Sequence, residues 1–476
     1  MPRSNLKKKN NSLVILGAGS TGLSTGYILR DNPELSIQII EKSHKPGGLA
    51  GSFKWDNHVI DYGPHRLSPN LTDVVDLVKN LLGSQLKEGL SDHGVQLDST
   101  LYQFPVKVSQ WISISGILWV SKVISSLLYC KIKYLCSRKD TFPIIMKNRF
   151  GRFFYKSVLE GMTKKVWIHP EKIDPKFADE RFSLIKPTEI LKSVIQKTSS
   201  RNPNAFFYPR LGYQQIWDEM LKSCIKSEVS TKLNHEVVEC QVKNDEIISV
   251  TIKHELTQKV EQIHTKNSRV LSTIPISILC RCIKGGDVTL ARTLDFYKDI
   301  KIRSMILVSL EFKQSQTLPH RTLIFPDDDI VFNRLFEQNL YSNDTVENGK
   351  SIVVADITCD PTDMIYTKNK EEVAQIVIND LSSFDYIDLE KLERCFVIHV
   401  PFAYMVPDVV SREKLEQILM SLKKIKNLDL MGRFSIGEYD NSDYAIKNAI
   451  NYSKFISSNQ IDASPFEIVK NREIVG

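Results

Sequence analysis

The sequence is short of features that would settle its class at once. Its eight cysteines, Cys130, Cys136, Cys224, Cys240, Cys280, Cys282, Cys359 and Cys395, form no C-x-x-C pair. No zinc or thioredoxin-type spacing is therefore present, and a chain of 476 residues does not need disulfide staples. The cysteines read as reduced core thiols of a cytoplasmic protein, and no metal site is expected. A signal peptide is not expected either, because the apolar run Leu13–Leu16 is too short. Arg3, Lys7, Lys8 and Lys9 have no aromatic residues among them, which points to a solvated arm and not to a nucleic-acid partner. The net charge of +7 is mild for this length.

Long hydrophobic runs are scarce too. Residues 111–130, WISISGILWVSKVISSLLYC, approach the length of a spanning helix, but Lys122 and repeated serines interrupt them. Lys131, Lys133, Arg138 and Lys139 follow. The segment is expected to be an amphipathic helix covering one lobe, with peripheral membrane contact as the alternative. There are no repeats and no low-complexity linker.

What is present is the composition of a soluble globular protein, 42% hydrophobic and 25% charged, at a length that implies two domains or two lobes. Residues 13–30 read LVILGAGSTGLSTGYILR. The aliphatic run suits a buried parallel strand. Gly17, Gly19 and Gly22 then carry G-x-G-x-x-G spacing, with Gly26 one helical turn later. The first glycine permits a tight turn, the second lets a pyrophosphate approach the backbone, and the third lets helix and strand pack closely. The positive end of the helix that follows would hold the anion. A second strand, Ser36–Ile40, ends at Glu41, nineteen residues past Gly22, where a ribose-binding acid belongs. An acid there disfavours a 2′-phosphate, leaving NAD or FAD. The continuation EKSHKPGGLAGSF decides for FAD, because Gly47 and Gly48 form a second bare-backbone loop, with Leu49 beside them.

From here the chain resembles the FAD-binding superfamily of monoamine oxidases, protoporphyrinogen oxidase, phytoene desaturases and UDP-galactopyranose mutase, the mutase-like group above all. FFYPRLGYQQIWDEM (206–220) is similar to the mutase Y-P-x-x-G-x-x-x-(I/M)-W segment. TKLNHEVVECQVKNDEIISV (231–250) looks like the strand pair in which a valine, here Val237, contacts adenine. VLSTIP (270–275) resembles the returning strand, and MGRFSIGEYDNSDYA (431–445) the closing motif. There Gly432 and Arg433 would meet the pyrophosphate, and Asn441 and Asp443 join the cofactor set. Asp440, Asn441, Ser442 and Asp443 are read as cap-type residues before a helical run Tyr444–Phe455.

The resemblance implies an α/β fold. Its FAD-binding Rossmann-like domain, of glutathione reductase type, is discontinuous over 11–100, 200–285 and 425–476. A second, α+β substrate domain comes from 101–199, mostly helical, and 286–424, with strands at Met305–Glu311 and Ile352–Ile357. DYGPHR (61–66) resembles the mutase loop that runs along the flavin, which implies His65 beside the ring. It departs at Arg66-Leu67-Ser68-Pro69, where many mutases carry a second histidine. Arg303 (KIRSMILVSLEF) and Tyr404 (PFAYMVPD) match segments that grip a substrate diphosphate, which suits a bidentate guanidinium. Arg181, Tyr208 and Arg210 are lesser candidates. Leu49-Ala50 follows the glycine pair in place of the amine oxidase arginine, and no cysteine lies near the closing motif, so FAD is expected to be noncovalent. The expected function is an FAD-dependent oxidoreductase acting on a small molecule. The alternative is a mutase-like isomerase of a nucleotide diphosphate sugar, working through reduced flavin.

Overall fold

A computed structural model of the chain describes residues 11–98, 100–104, 108–134, 141–182 and 205–458. The N-terminal arm, Cys136 and residues 183–204 lie outside that set. Leu13–Leu16 are consecutive, aliphatic and buried because their strand, Asn11–Leu16, is packed on both faces. Leu13 and Ile15 join one core cluster, while Val14 and Leu16 join another on the opposite side. A strand covered on both sides has no reason to alternate with polar residues. It lies between Leu35–Ile40 and Ser268–Ser272 in a five-stranded sheet, with Ser230–Lys232 and Leu428–Leu430 at the edges. All four pairings are parallel.

The helix Ser20–Leu29 presses onto this sheet through glycines. A Cβ on Gly26 would come 2.5 Å from Ile39 Cδ1, and one on Gly22 would come 2.1 Å from the Gly17 carbonyl oxygen. The third glycine therefore serves close packing, as its spacing predicts.

A second, seven-stranded sheet runs in the order Leu392–Met405, Ile302–Phe312, Ser351–Cys359, Arg334–Glu337, Thr322–Ile324, His93–Leu97, Thr100–Phe104. Ile306, Val308, Val353 and Ala355 face a core that includes the helix Lys370–Leu381, which starts with an Asn369/Glu372 capping box. Met305, Leu307, Ile352 and Val354 turn the other way, into the main core with Phe53, Trp55 and Ile60.

Two of the expected segments, 11–100 and 286–424, contain elements that pack with the other sheet. His93–Leu97 falls in the 11–100 segment but pairs in parallel with Thr322–Ile324 of the seven-stranded sheet. Val288–Leu294 and Val409–Leu422 fall in the 286–424 segment. Their apolar faces, Leu290, Leu294, Leu415, Ile418 and Leu422, nonetheless share a core with Val14, Leu16 and Val270. In both cases burial of an apolar face, which no local signal announces, decides the partner.

The hairpin Ser52–Trp55/His58–Asp61, which delivers DYGPHR, is tied to the seven-stranded sheet by buried charge. His58 Nδ1 accepts the Glu347 N–H at 3.3 Å, so its proton sits on Nε2 and is donated to Glu311 at 2.5 Å. Arg394 grips the same carboxylate at 3.0 and 2.9 Å, and Lys350 donates to it at 3.1 Å. The Arg394 bonds, helped by those from Lys350 and His58, outweigh burial and hold the Glu311 carboxyl down at about 2.

Candidate functional site

The glycine-rich turn makes the first wall. Gly17 has φ +100°, its N–H donates to the Ile40 carbonyl at 2.7 Å, and a Cβ there would meet Thr273 Oγ1 at 2.7 Å. Gly19, the N-cap of Ser20–Leu29, differs: a Cβ there would meet nothing within 4 Å. The second loop closes against it. Gly47 donates its N–H to the Ala18 carbonyl at 2.8 Å, and Gly48 has φ +54°. A Cβ on Gly48 would stand 3.5 Å from Gly19 Cα. Leu49 sits in the short turn Gly48–Ala50 and packs against the main core. The two bare loops thus face each other beside a helix N-terminus, as a pyrophosphate cradle requires.

Glu41 anchors both loops. One carboxylate oxygen accepts the Ala18 N–H at 2.7 Å and the other the Ser43 N–H at 2.8 Å. Each oxygen keeps a second lone pair for a ribose hydroxyl. The Glu41 carbonyl accepts the His235 N–H at 2.8 Å, which brings the strand His235–Lys243 alongside. Val237 is in that strand, buried in the second core cluster, and bulged against its neighbour between Val237 and Glu239.

The closing motif returns to the same place. Gly432, with φ +96°, would carry a Cβ 3.4 Å from Thr21 Oγ1 and 3.7 Å from Thr273 Cβ, so it abuts the start of the first helix. Among the described residues, the buried Nη2 of Arg433 has no hydrogen-bond partner. Two features fit a dinucleotide: open space where a Cβ would project at Gly19, and bare backbone at Gly48 and Gly432 beside the start of the first helix.

The cap expected here is corrected. The helix runs Ser442–Ser457, and its N-cap Asn441 makes no side-chain cap bond. Asp440 instead accepts from Asn448 at 2.8 Å. Asp443, inside the first turn, accepts the Tyr444 N–H at 2.9 Å and the Ser68 N–H at 3.2 Å. Its acid function therefore ties the helix to the loop after DYGPHR.

Within DYGPHR, Asp61 is the buried anchor. It accepts from Ser52 Oγ at 2.6 Å, Tyr208 OH at 2.7 Å and the Tyr213 N–H at 3.3 Å. Burial outweighs these bonds and lifts its pKa to about 6. His65 sits 4.0 Å from Asp61 and packs its ring on Tyr213 at 5.0 Å. Burial, then the Arg334 and Arg433 guanidiniums, push its pKa down to about 3, and its Nδ1 has no partner among the described residues.

Around it stand Tyr404, Arg433 and Arg181, which sequence reasoning singled out, together with Arg334, Asp356 and Tyr439, which it did not. Arg334 pairs with the fully buried Asp356. Tyr404 and Tyr439 lie parallel, 6.1 Å apart and 3° from coplanar. Arg433 sits 4.0 Å from the Tyr439 ring centre and 5.2 Å from that of Tyr404, and Arg181 lies 4.7 Å from Tyr439. Burial opposes ionisation of Tyr439, but Arg433, Arg181 and Arg334 together outweigh it and bring the phenol below its ordinary range. Tyr404 goes the other way, raised by burial and by the Asp356 and Tyr439 charges. For the Arg334–Asp356 pair one further signal was available: Asp356 is a lone acid in the apolar run SIVVADITC, and such an acid must find a cation.

The structure brings His65, Tyr404 and Arg433 together, and leaves Arg303 out. The Arg303 guanidinium donates to the carbonyls of Trp167 at 2.6 Å, Lys165 at 3.1 Å and Thr358 at 3.2 Å, with Asp360 at 3.3 Å. It walls a neighbouring cleft of about 620 Å³, also lined by Lys164, Lys165, Lys172, Lys301 and the acids Asp328, Asp360 and Asp363. Trp167 lines that cleft, and its ring stands 6.0 Å from the Tyr439 ring at 74° to it. Arg210 bonds Gln85 at 2.6 Å and Asp344 at 3.2 Å, and so shapes its own turn.

The neutral His65 gives a direct test. Its native pKa, about 3, lies below the unfolded value of 6.5. The unfolded chain therefore takes up a proton that the native chain refuses, and stability should fall as pH drops through that window. His65→Gln should flatten that slope, and the His65 ring resonance should not titrate near 6.5 in NMR. A normal titration would place the imidazole away from Arg334 and Arg433.

A mixed α/β architecture with a parallel dinucleotide-type sheet, a second sheet beside it and two glycine loops is the fold shared by FAD-dependent amine oxidases and UDP-galactopyranose mutase. Sequence and fold together make the chain similar to amine oxidases, protoporphyrinogen oxidase and UDP-galactopyranose mutase. Residues 15–81 match the NAD(P)-binding Rossmann-like domain. A coproporphyrinogen III oxidase of Staphylococcus aureus (strain NCTC 8325 / PS 47) is 37% identical over 71 residues, a match that spans only 15% of either chain. An L-amino-acid oxidase of Sistrurus catenatus edwardsii is 21% identical over 430 residues, 80% of this chain and 72% of that one. The solved structure of a reduced UDP-galactopyranose mutase aligns with a TM-score of 0.76 at 17% identity, covering 96% of this chain and 97% of that one.

Proposed function

We propose that the protein is an FAD-dependent oxidoreductase that binds its cofactor noncovalently and oxidises a small anionic substrate. Bound FAD would supply hydride acceptance, which no side chain can. Gly17–Gly22, Gly47, Gly48 and Gly432 would hold its pyrophosphate and Glu41 its ribose. The observation that carries the substrate class is the convergence of Arg181, Arg334 and Arg433 on Tyr439 beside a neutral His65, against the two nearby acids Asp356, paired with Arg334, and Asp61, 4.0 Å from His65. Guanidiniums in that arrangement attract and orient an anion. His65 and the Tyr439 hydroxyl would exchange hydrogen bonds with it.

The second reading, isomerisation of a nucleotide diphosphate sugar through reduced flavin, is supported by the adjoining cleft, where Arg303 and four lysines offer room and charge for a diphosphate. One preparation tests both. FAD should copurify and be released intact on denaturation; flavin left on the precipitated chain would refute noncovalent binding. Turnover of carboxylate substrates without tight UDP binding supports the first reading, and tight UDP binding to the reduced protein replaces it with the second. Glu41→Ala should weaken FAD binding by about 1.5–3 kcal/mol, the value of a hydrogen bond to a charged group. Unchanged flavin occupancy would remove Glu41 from the site.

A further inference from the structure

The helix Val108–Lys133 turns an unexpected face to solvent. Its inner side is pinned: Trp119 meets Tyr102 at 6.4 Å and Phe153 at 5.4 Å, and Ser126 Oγ accepts the Phe153 N–H at 2.9 Å. Gly151 lets the helix approach, since a Cβ there would come 2.9 Å from Leu127 N. On the outer side Leu118, Ser121, Ser125, Leu128 and Ile132 recur at alternating intervals of three and four, a single stripe of a helix. Leu118 and Ile132 are each 75% exposed, and Ile124 and Tyr129 border the stripe, also exposed. The two serines do not make it polar. Ser121 donates to the Leu118 carbonyl at 2.8 Å and Ser125 to the Lys122 carbonyl at 3.3 Å, so both hydroxyls are satisfied within the helix.

Charge identifies the occupant. By helical spacing Lys122 and Lys133 lie along the Tyr129 edge and Lys131 along the Ile124 edge, and the helix contains no acidic residue. Lys133 Nζ stands 5.5 Å from the Tyr129 ring. An outward apolar stripe, cations on both shoulders and an aromatic at the margin are what an interfacial helix presents to a bilayer. Among the described residues, no helix is long and apolar enough to cross a membrane.

We propose that this face docks the protein on an anionic phospholipid surface, lying in the headgroup plane. The proposal is independent of the flavin reading. The full-length chain should sediment with phosphatidylcholine vesicles containing phosphatidylserine, and less well with pure phosphatidylcholine or at high salt. Leu128→Ser with Ile132→Ser should reduce binding about tenfold or more while leaving the melting temperature and bound cofactor unchanged, since both side chains are already in water. Changing Lys122, Lys131 and Lys133 to Gln should remove the preference for phosphatidylserine, about fivefold per lysine. The proposal fails if the parent binds neither vesicle, or if the serine variant binds like the parent. It also fails if light scattering shows that this face joins two copies of the chain in place of lipid.

Discussion

Gly22→Val is expected to unfold the protein, whereas Gly19→Val is expected to leave it folded and to weaken binding of the proposed flavin. Both glycines belong to one fingerprint, yet their surroundings are opposite. A Cβ on Gly22 would lie 2.1 Å from the Gly17 carbonyl oxygen, 2.8 Å from Thr273 Oγ1 and 3.1 Å from Ile15. The nearest of these is backbone in a buried turn and cannot swing away, so the cost should exceed the ~1–3 kcal/mol of ordinary overpacking. At Gly19 the protein offers nothing within 4 Å, and φ −65° with ψ −179° is open to any residue. The fold should change by no more than about 1 kcal/mol, the scale of an N-cap substitution. The valine would instead occupy the space beside the helix N-terminus, with flavin affinity lower by about a hundredfold, ~2.7 kcal/mol. Thermal melts and flavin content separate the two. A Gly19 variant that still carries full flavin would move the pyrophosphate site elsewhere, and a Gly22 variant that melts normally would contradict the packing.

Arg334→Met is expected to cost about 3–5 kcal/mol, the penalty for stranding a buried charge. Asp356 is fully buried and its ion-pair partner is Arg334. Removing the acid as well, in Arg334→Met with Asp356→Leu, should restore most of that stability, because replacing a buried pair by apolar groups is often neutral. Activity should not return with it. Arg334 is one of the two cations that hold His65 neutral and one of three around Tyr439. The double variant should therefore fold, bind an anionic substrate weakly, and show a His65 pKa shifted upward. Denaturant melts, substrate titration and histidine NMR give the three readings. Full activity in the stable double variant would make the pair a structural brace only.

The glycine turns and the Glu41 contacts were legible because their geometry is local. A tight turn, a bare backbone and a carboxylate at the end of the next strand all fall within Leu13–Gly48, and each must sit at a set spacing for geometric reasons. The substrate half was not. Arg303 and Tyr404 both sit in strands matched to substrate-gripping segments, and they are direct partners in the sheet register. Yet Tyr404 stacks on Tyr439, while the Arg303 guanidinium is taken up by the Trp167, Lys165 and Thr358 carbonyls. Which hydrogen bonds an arginine finds depends on what packs against its strand, and those carbonyls come from distant stretches of chain.

The same division holds for the fold. The parallel strand, the glycine helix and a helix over 111–130 follow from local pattern, spacing and length of run, which are properties of neighbouring residues. Tertiary structure alone decided that His93–Leu97 joins the second sheet and that Val409–Leu422 covers the first. It alone decided that Arg181, Arg334 and Arg433 meet at one tyrosine. Burial of apolar faces chooses partners across hundreds of residues, and charges that must then be matched within those contacts leave only faint marks on the local sequence.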